Sequence, residues 1–180
     1  MKKTQHRSAL QQLAEGGLIA AMYFVLTVAI QPAAFGPVQF RVSELLTILP
    51  VFTPAAIPGL AVGCFLSNLF GLSTGANIAG AWDLLFGTLA TLSAAFLTRW
   101  MRDWKLKGLP VWATLPPVLI NALVVGTELT IAYGGMPWSL NVLSVAAGQL
   151  AACTVCGLIL YAVLERSGAS RIFSPTRPRN

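Results

Sequence analysis

The stretch VSELLTILPVFTPAAIPGLAVGCFLSNLFGL, residues 42–72, decides the fold. It is apolar throughout but cut by Pro50, Pro54 and Pro58, so it reads as one long membrane span or as two short ones hinged near Thr53 and Pro54. The basic residues choose between these, because Lys and Arg collect in cytoplasmic loops. Lys2, Lys3 and Arg7 precede the first full-length apolar stretch, 10–30. Arg99, Arg102, Lys105 and Lys107 follow the stretch 79–98, and Arg166, Arg171, Arg177 and Arg179 form the tail after 140–164. With 113–133 as a further span, an unbroken 42–72 leaves the last two clusters outside. Splitting it gives six spans, both termini cytoplasmic, and 11 of the 12 basic residues inside.

Composition points the same way: hydrophobic residues make up 56% of the 180, charged residues 10%, and mean hydropathy is +0.71. A soluble domain carries roughly 25% charged residues to wet its surface. A soluble enzyme, a disordered chain and a disulfide scaffold are therefore excluded. The expected fold is an all-α integral membrane protein of the cell membrane: a cytoplasmic tail 1–9, a six-helix transmembrane domain 10–165 and a cytoplasmic tail 166–180. The tryptophans fit this layout, Trp82 and Trp138 at the outer boundary and Trp100, Trp104 and Trp112 at the inner one, where amphipathic rings settle. The stretch 10–30 is full span length and shows no small-residue cleavage site before Gln31 and Pro32, so it reads as a span and not as a signal peptide. The net charge of +6 is then an orientation signal that touches anionic lipid, not a nucleic-acid site.

Chemistry of the chain's own is not expected. No G-x-x-x-x-G-K-[ST] phosphate loop occurs, the single histidine is His6 in the tail, and Cys153 and Cys156 form a C-x-x-C inside an apolar helix far from Cys64. Those cysteines read as small packing residues, without the further ligands that zinc would require. No enzyme, metal or cofactor is expected.

Away from the cytoplasmic clusters, the ionisable residues at membrane level are Glu15, Arg41, Glu44, Asp83 and Glu128. Such groups are costly in lipid and by default mark function. The six-span topology puts Arg41 and Glu44 at the outer entrance of the second helix, three residues apart on one face. Asp83 begins the fourth helix from outside, and Glu128 lies about 7.5 Å below the outer end of the fifth. Only Glu15 is near the cytoplasmic side. Asn68, Asn77 and Asn141 fall on the outer half, with Gln149 eight residues below Asn141 on the same helical face. Phe35, Phe40, Trp82, Tyr133 and Trp138 supply aromatic surface. Acid, amide and aromatic groups together describe a pocket for a flat polar small molecule. One positive charge against three negative ones favours a cationic or donor-rich ligand. A plainer reading pairs Arg41 with Glu44 structurally and makes Asp83 a helix cap; Glu128 is too deep to be one. On the first helix, Gly17 and Ala21, like Gly16 and Ala20, make a small-xxx-small face suited either to a partner helix or to packing inside the bundle.

The runs Phe40-Arg41-Val42-Ser43-Glu44, Ile57-Pro58-Gly59, Gly63-Cys64-x-x-x-Asn68, Trp82-Asp83-Leu84-x-Phe86-Gly87 and Pro116-Pro117-Val118-x-x-Asn121, with Gly126-x-Glu128 and Gly148, resemble the QueT family in order and spacing from Leu13 to Leu164. That family comprises membrane substrate-binding (S) components of energy-coupling factor (ECF) transporters associated with uptake of queuosine precursors. The resemblance implies a six-helix S component that captures substrate on the outer face and docks on a transmembrane scaffold subunit with two ATPase subunits. It implies scaffold contact through Gly17 and Ala21. The precursors are 7-deazaguanines (preQ1, preQ0 or queuine). Glu128 is the first candidate for their guanine-like donor edge and Glu44 or Asp83 for an ammonium. Asn68, Asn141 and Gln149 would satisfy the other edges, with Trp138, Tyr133 or Phe40 stacking on the ring. Arg41 would orient Glu44 or meet a ligand carbonyl. The chain departs from the family where a glutamate often follows the last-helix glycine: here Gln149 stands.

Three other readings share this sequence: an S component for a different vitamin, a stand-alone secondary transporter of a small polar heterocycle, and a structural or assembly membrane protein. The intramembrane acids argue against the last. The topology itself is testable. A cysteine introduced at Lys105 should resist a membrane-impermeant maleimide applied to intact cells; ready labelling would overturn the six-span layout.

Overall fold

The computed structural model describes residues 8–35, 40–77 and 79–173. Among these the chain is helical, apart from an isolated antiparallel bridge between Leu106 and Leu109. Helix α1 (Ala9–Ala29) begins at a capping box: Ser8 Oγ accepts from Gln11 N–H at 3.2 Å, and Gln11 Oε1 accepts from Ser8 N–H at 3.1 Å. A short helical turn, Gln31–Ala34, leads on to α2 (Val42–Val51), which is wound as a 3-10 helix. Then come α3 (Ala56–Ser73), α4 (Asp83–Asp103), α5 (Val111–Ala132) and α6 (Trp138–Arg166). Five of these, all but α2, are long and apolar enough to cross a membrane.

The proline-cut stretch is indeed two helices. Helix α2 ends at Val51 and α3 starts at Ala56, with Thr53 Oγ1 accepting from Ala55 N–H across the break at 3.3 Å. The fourth helix starts later than the expected 79, because Gly80 turns the chain at φ +62° and Asn77 Oδ1 takes the Ala79 N–H at 3.2 Å.

Helix α2 is short because it is the centre. Ser43, Glu44, Leu46, Thr47, Ile48, Leu49 and Pro50 are buried, and α1, α3, α4 and α6 all pack on it. A helix enclosed by protein needs no lipid-facing stripe and reads as apolar all round. Its 3-10 winding, rising about 2 Å per residue, stretches 10 residues to about 20 Å. At its far end the last carbonyls meet Arg99, whose Nη1 donates to Pro50 O at 2.9 Å and Val51 O at 3.3 Å. Phe52 just beyond stacks on Tyr161 of α6 at 5.1 Å, and Phe173 closes over it at 6.4 Å. Lys2, Lys3, His6, Arg7, Arg177 and Arg179 lie outside the described residues.

The two small faces of α1 separate. Gly16 and Ala20 turn inward against α3, where a Cβ on Gly59 would lie 2.7 Å from Gly16 O and one on Gly63 would lie 2.7 Å from Tyr23 Cβ. Gly17 and Ala21 turn outward, and a Cβ on Gly17 would meet nothing within 4 Å. Packing this close leaves no space for a methyl group, and overfilling a close-packed contact costs about 1–3 kcal/mol. Gly59→Ala and Gly63→Ala should therefore each lower the thermal midpoint of the detergent-purified protein, while Gly17→Ala leaves it unchanged. Equal midpoints for all three would show that α1 and α3 do not approach as described.

Candidate functional site

The sequence places Arg41 next to an apolar helix, and burial obliges it to find a counter-charge. Arg41 is 4% exposed and its Nη2 donates to Asp83 Oδ2 at the start of α4. Its Nε donates to Ala34 O at 3.2 Å, and the guanidinium lies 5.2 Å from the Phe35 ring centroid. Asn77 Nδ2 adds a bond to Asp83 Oδ2 at 3.0 Å, and Asn68 Nδ2 donates to the Asp83 backbone carbonyl at 2.8 Å. Two expectations are corrected here. Arg41 pairs with Asp83 and not with Glu44, because Arg41 is extended (φ −99°, ψ 104°) and precedes the helix, so three-residue spacing does not put the two on one face. Nor does Asp83 cap α4: its carboxylate is engaged by Arg41 and Asn77, and no side-chain cap bond forms there.

Glu44, 1% exposed, is held from two other helices. Tyr23 O–H of α1 donates to Oε1, and Asn121 Nδ2 of α5 donates to Oε2 at 3.4 Å. Sequence reasoning left Tyr23, Asn121 and Thr91 out of the site. Asn121 carried a usable signal, since an amide within an apolar span needs a polar partner; Tyr23 showed only a hydroxyl in mid-helix.

Arg41, Glu44, Gly87, Thr91, Asn121, Val125 and Gln149 enclose a small cavity with about 10 Å³ of room for the centre of a water molecule. That admits one water-sized group. Gln149 Oε1 accepts from Cys153 Sγ at 3.0 Å. Helical irregularity borders the cavity: α4 opens as a π-helix over Asp83–Gly87, and α6 is π-wound over Leu150–Cys156, directly after Gln149. Such π segments recur at functional sites.

A groove of about 430 Å³ lies along the α4–α5 seam, lined by Trp82, Phe86, Leu123, Val124, Thr127, Glu128 and Ile131. Its volume falls in the range of small-molecule pockets. Trp82 and Phe86 stack at 5.7 Å with an interplanar angle of 18°. Glu128 is 8% exposed, yet neither carboxylate oxygen has a hydrogen-bond partner among the described residues. Both acceptors of a buried acid left open is a costly arrangement in a bundle that pairs its other acids.

Asn141, Trp138 and Phe40 are not among the residues lining either space. Asn141 Nδ2 donates to Thr130 Oγ1 at 2.9 Å, tying α6 to α5. Trp138 is exposed, and its Nε1 donates to Thr127 Oγ1 at 3.0 Å. Phe40 is half-buried, its N–H bonded to Ala33 O at 2.9 Å. The Tyr133 side chain lies outside the described residues.

Comparisons with known proteins can now be set beside this geometry. The family described as QueT transporter matches residues 13–166. A 78-residue stretch is 33% identical to the queuosine precursor transporter QueT of Lactococcus lactis subsp. cremoris (strain MG1363), covering 42% of this chain and 41% of that relative. No solved structure matches the chain. The family match takes in every buried acid described above and most of all the helices that carry them, so the chain belongs to the QueT transporter family.

Proposed function

We propose that the chain is the membrane substrate-binding component of an ECF-type importer, capturing a 7-deazaguanine queuosine precursor on its extracytoplasmic face for ATP-driven uptake by partner subunits. One observation carries this reading: Glu128 presents two carboxylate oxygens, unpartnered among the described residues, beside a groove walled by the stacked Trp82 and Phe86. A flat heterocycle with a guanine-like edge offers paired N–H donors that a carboxylate accepts together, and its faces suit an aromatic wall. Trp82 takes the stacking role expected of Trp138, Tyr133 or Phe40. In the proposed topology α2 is the second of six crossings, both termini are cytoplasmic, and the Arg41–Asp83 end faces outward.

The Glu128→Gln variant keeps the shape but replaces one acceptor oxygen with a donor. It should lose about 1.5–3 kcal/mol of charged hydrogen bonding, or roughly ten- to a hundredfold in affinity for 7-deazaguanines. Calorimetry on the purified variant, with its thermal midpoint measured alongside, reads this directly. Wild-type affinity in a normally folded variant removes Glu128 from the site.

The partners in this reading are a transmembrane scaffold subunit and two ATPase subunits, which supply the energy that this chain has no phosphate loop to obtain. The outward face of α1 supports it: Gly17 and Ala21 are exposed, and Leu10, Leu13, Leu18 and Val25 on the same helix are exposed large apolar residues. Small residues there let a partner helix approach closely. Gly17→Leu or Ala21→Leu should abolish uptake in cells that carry the coupling module while leaving ligand binding by the isolated protein intact. Unchanged uptake in both variants would mean that docking uses another face.

A further inference from the structure

The connection between α4 and α5 closes in a turn that its own residues do not favour. Leu106 N–H donates to Leu109 O at 2.8 Å and Leu109 N–H to Leu106 O at 3.0 Å, which leaves Lys107 and Gly108 to make the turn. Both take positive φ, +51° and +83°. This is the two-residue hairpin turn whose first position favours Asn or Gly. A lysine there is crowded by its own Cβ, and Lys107 is the one non-glycine residue with positive φ among the described residues. Such local strain clusters at functional positions.

The surroundings show what that function requires. Leu89, Phe96 and Trp100 share one exposed face of α4 at helical spacing, and the Trp104 ring lies 5.3 Å from that of Trp100. Beyond the hairpin, Trp112, Leu119 and Leu123 are exposed along α5. The apolar faces of both helices thus run into three exposed indoles flanking the hairpin, and Leu106 and Leu109 are exposed within it. Indoles settle at the level of lipid headgroups. Arg102 is paired with Asp103 at 3.2 Å. Lys105 Nζ donates to Tyr161 Oη at 3.2 Å, which ties the hairpin's base to α6. Lys107 is exposed at the tip and has no ion pair among the described residues.

We propose that this hairpin, with the tryptophans on either side of it, binds an anionic phospholipid: Lys107 meets the phosphodiester, and the acyl chains lie along the exposed faces of α4 and α5. An apolar protein partner would cover the indoles but has no use for a strained lysine among them. A lipid uses both features, since its chains need apolar surface and its headgroup needs a cation. The proposed topology puts this lipid in the cytoplasmic leaflet, while the binding itself does not depend on the side.

Native mass spectrometry of the detergent-purified full chain, titrated with phosphatidylglycerol or phosphatidylcholine of matched acyl chains, tests this. Phosphatidylglycerol should be retained at least about fivefold more strongly, which is roughly what one lysine near an anionic surface contributes. Lys107→Asn puts a favoured residue at the turn and removes the charge. It should lose most of that preference, while its thermal midpoint stays the same or rises. Lys107→Arg keeps the charge and should keep the preference. Equal retention of the two lipids by the unaltered chain would overturn the proposal. A preference undiminished in Lys107→Asn would assign the lipid to basic residues elsewhere and overturn the hairpin site. If Lys107→Asn loses uptake in cells but keeps its lipid preference, the hairpin meets a protein partner, and the proposal fails.

Discussion

A guanidinium buried among apolar helices must meet a carboxylate, and Arg41 meets Asp83. That contact gathers the Arg41 end of the bundle. It brings together the carbonyl of Ala34 after α1, the entrance of α2, Asn68 on α3, Asn77 in the following loop and the first turn of α4. Removing one partner of such a pair leaves a buried charge at a cost of about 3–5 kcal/mol, comparable to the net stability of many domains. The network therefore fixes where α4 begins relative to α2, and with it which residues of α4 face inward.

Helix α2 depends on that anchoring. It is too short to be held by length and is gripped by an arginine at each end: Arg41 just before its first turn, and Arg99 on the carbonyls of Pro50 and Val51. Between them, Glu44 reaches Tyr23 of α1 and Asn121 of α5, so the same short helix ties both sides of the bundle. Around it, the inward glycines of α1 and α3 permit backbone contact, and the unused small residues of α1 remain on the outside. One helix thereby presents a sealed face and an open one.

The functional consequence lies at the α4–α5 seam. Helix α4 starts with π winding, and over those residues Phe86 lines the groove while Gly87 lines the cavity. Helix α5 divides likewise, with Asn121 and Val125 inside and Glu128 in the groove. Polar groups that regular spacing along single helices would scatter are thus sorted into an occupied network around Arg41 and a set of acceptors left open among the described residues: Glu128, Asp83 Oδ1 and Asn68 Oδ1.

The sequence by itself determined the helical membrane character, the break in 42–72 and the short list of buried acids. These follow from composition, proline chemistry and the cost of charge in an apolar medium, each local to its own residues. Only the tertiary structure decided who pairs with whom. Spacing suggested Arg41 with Glu44, three residues apart, but the chain before α2 is extended, so Arg41 is off the helical face that carries Glu44 and bonds Asp83 of α4 instead. The roles of Tyr23 and Asn121 were hidden for the same reason, since a hydroxyl or an amide shows its partner only when two helices meet. The two faces of α1 were equivalent in sequence, with Gly16 and Ala20 spaced like Gly17 and Ala21. What separated them was the position of α3, whose Gly59 and Gly63 stand against one face and leave the other open.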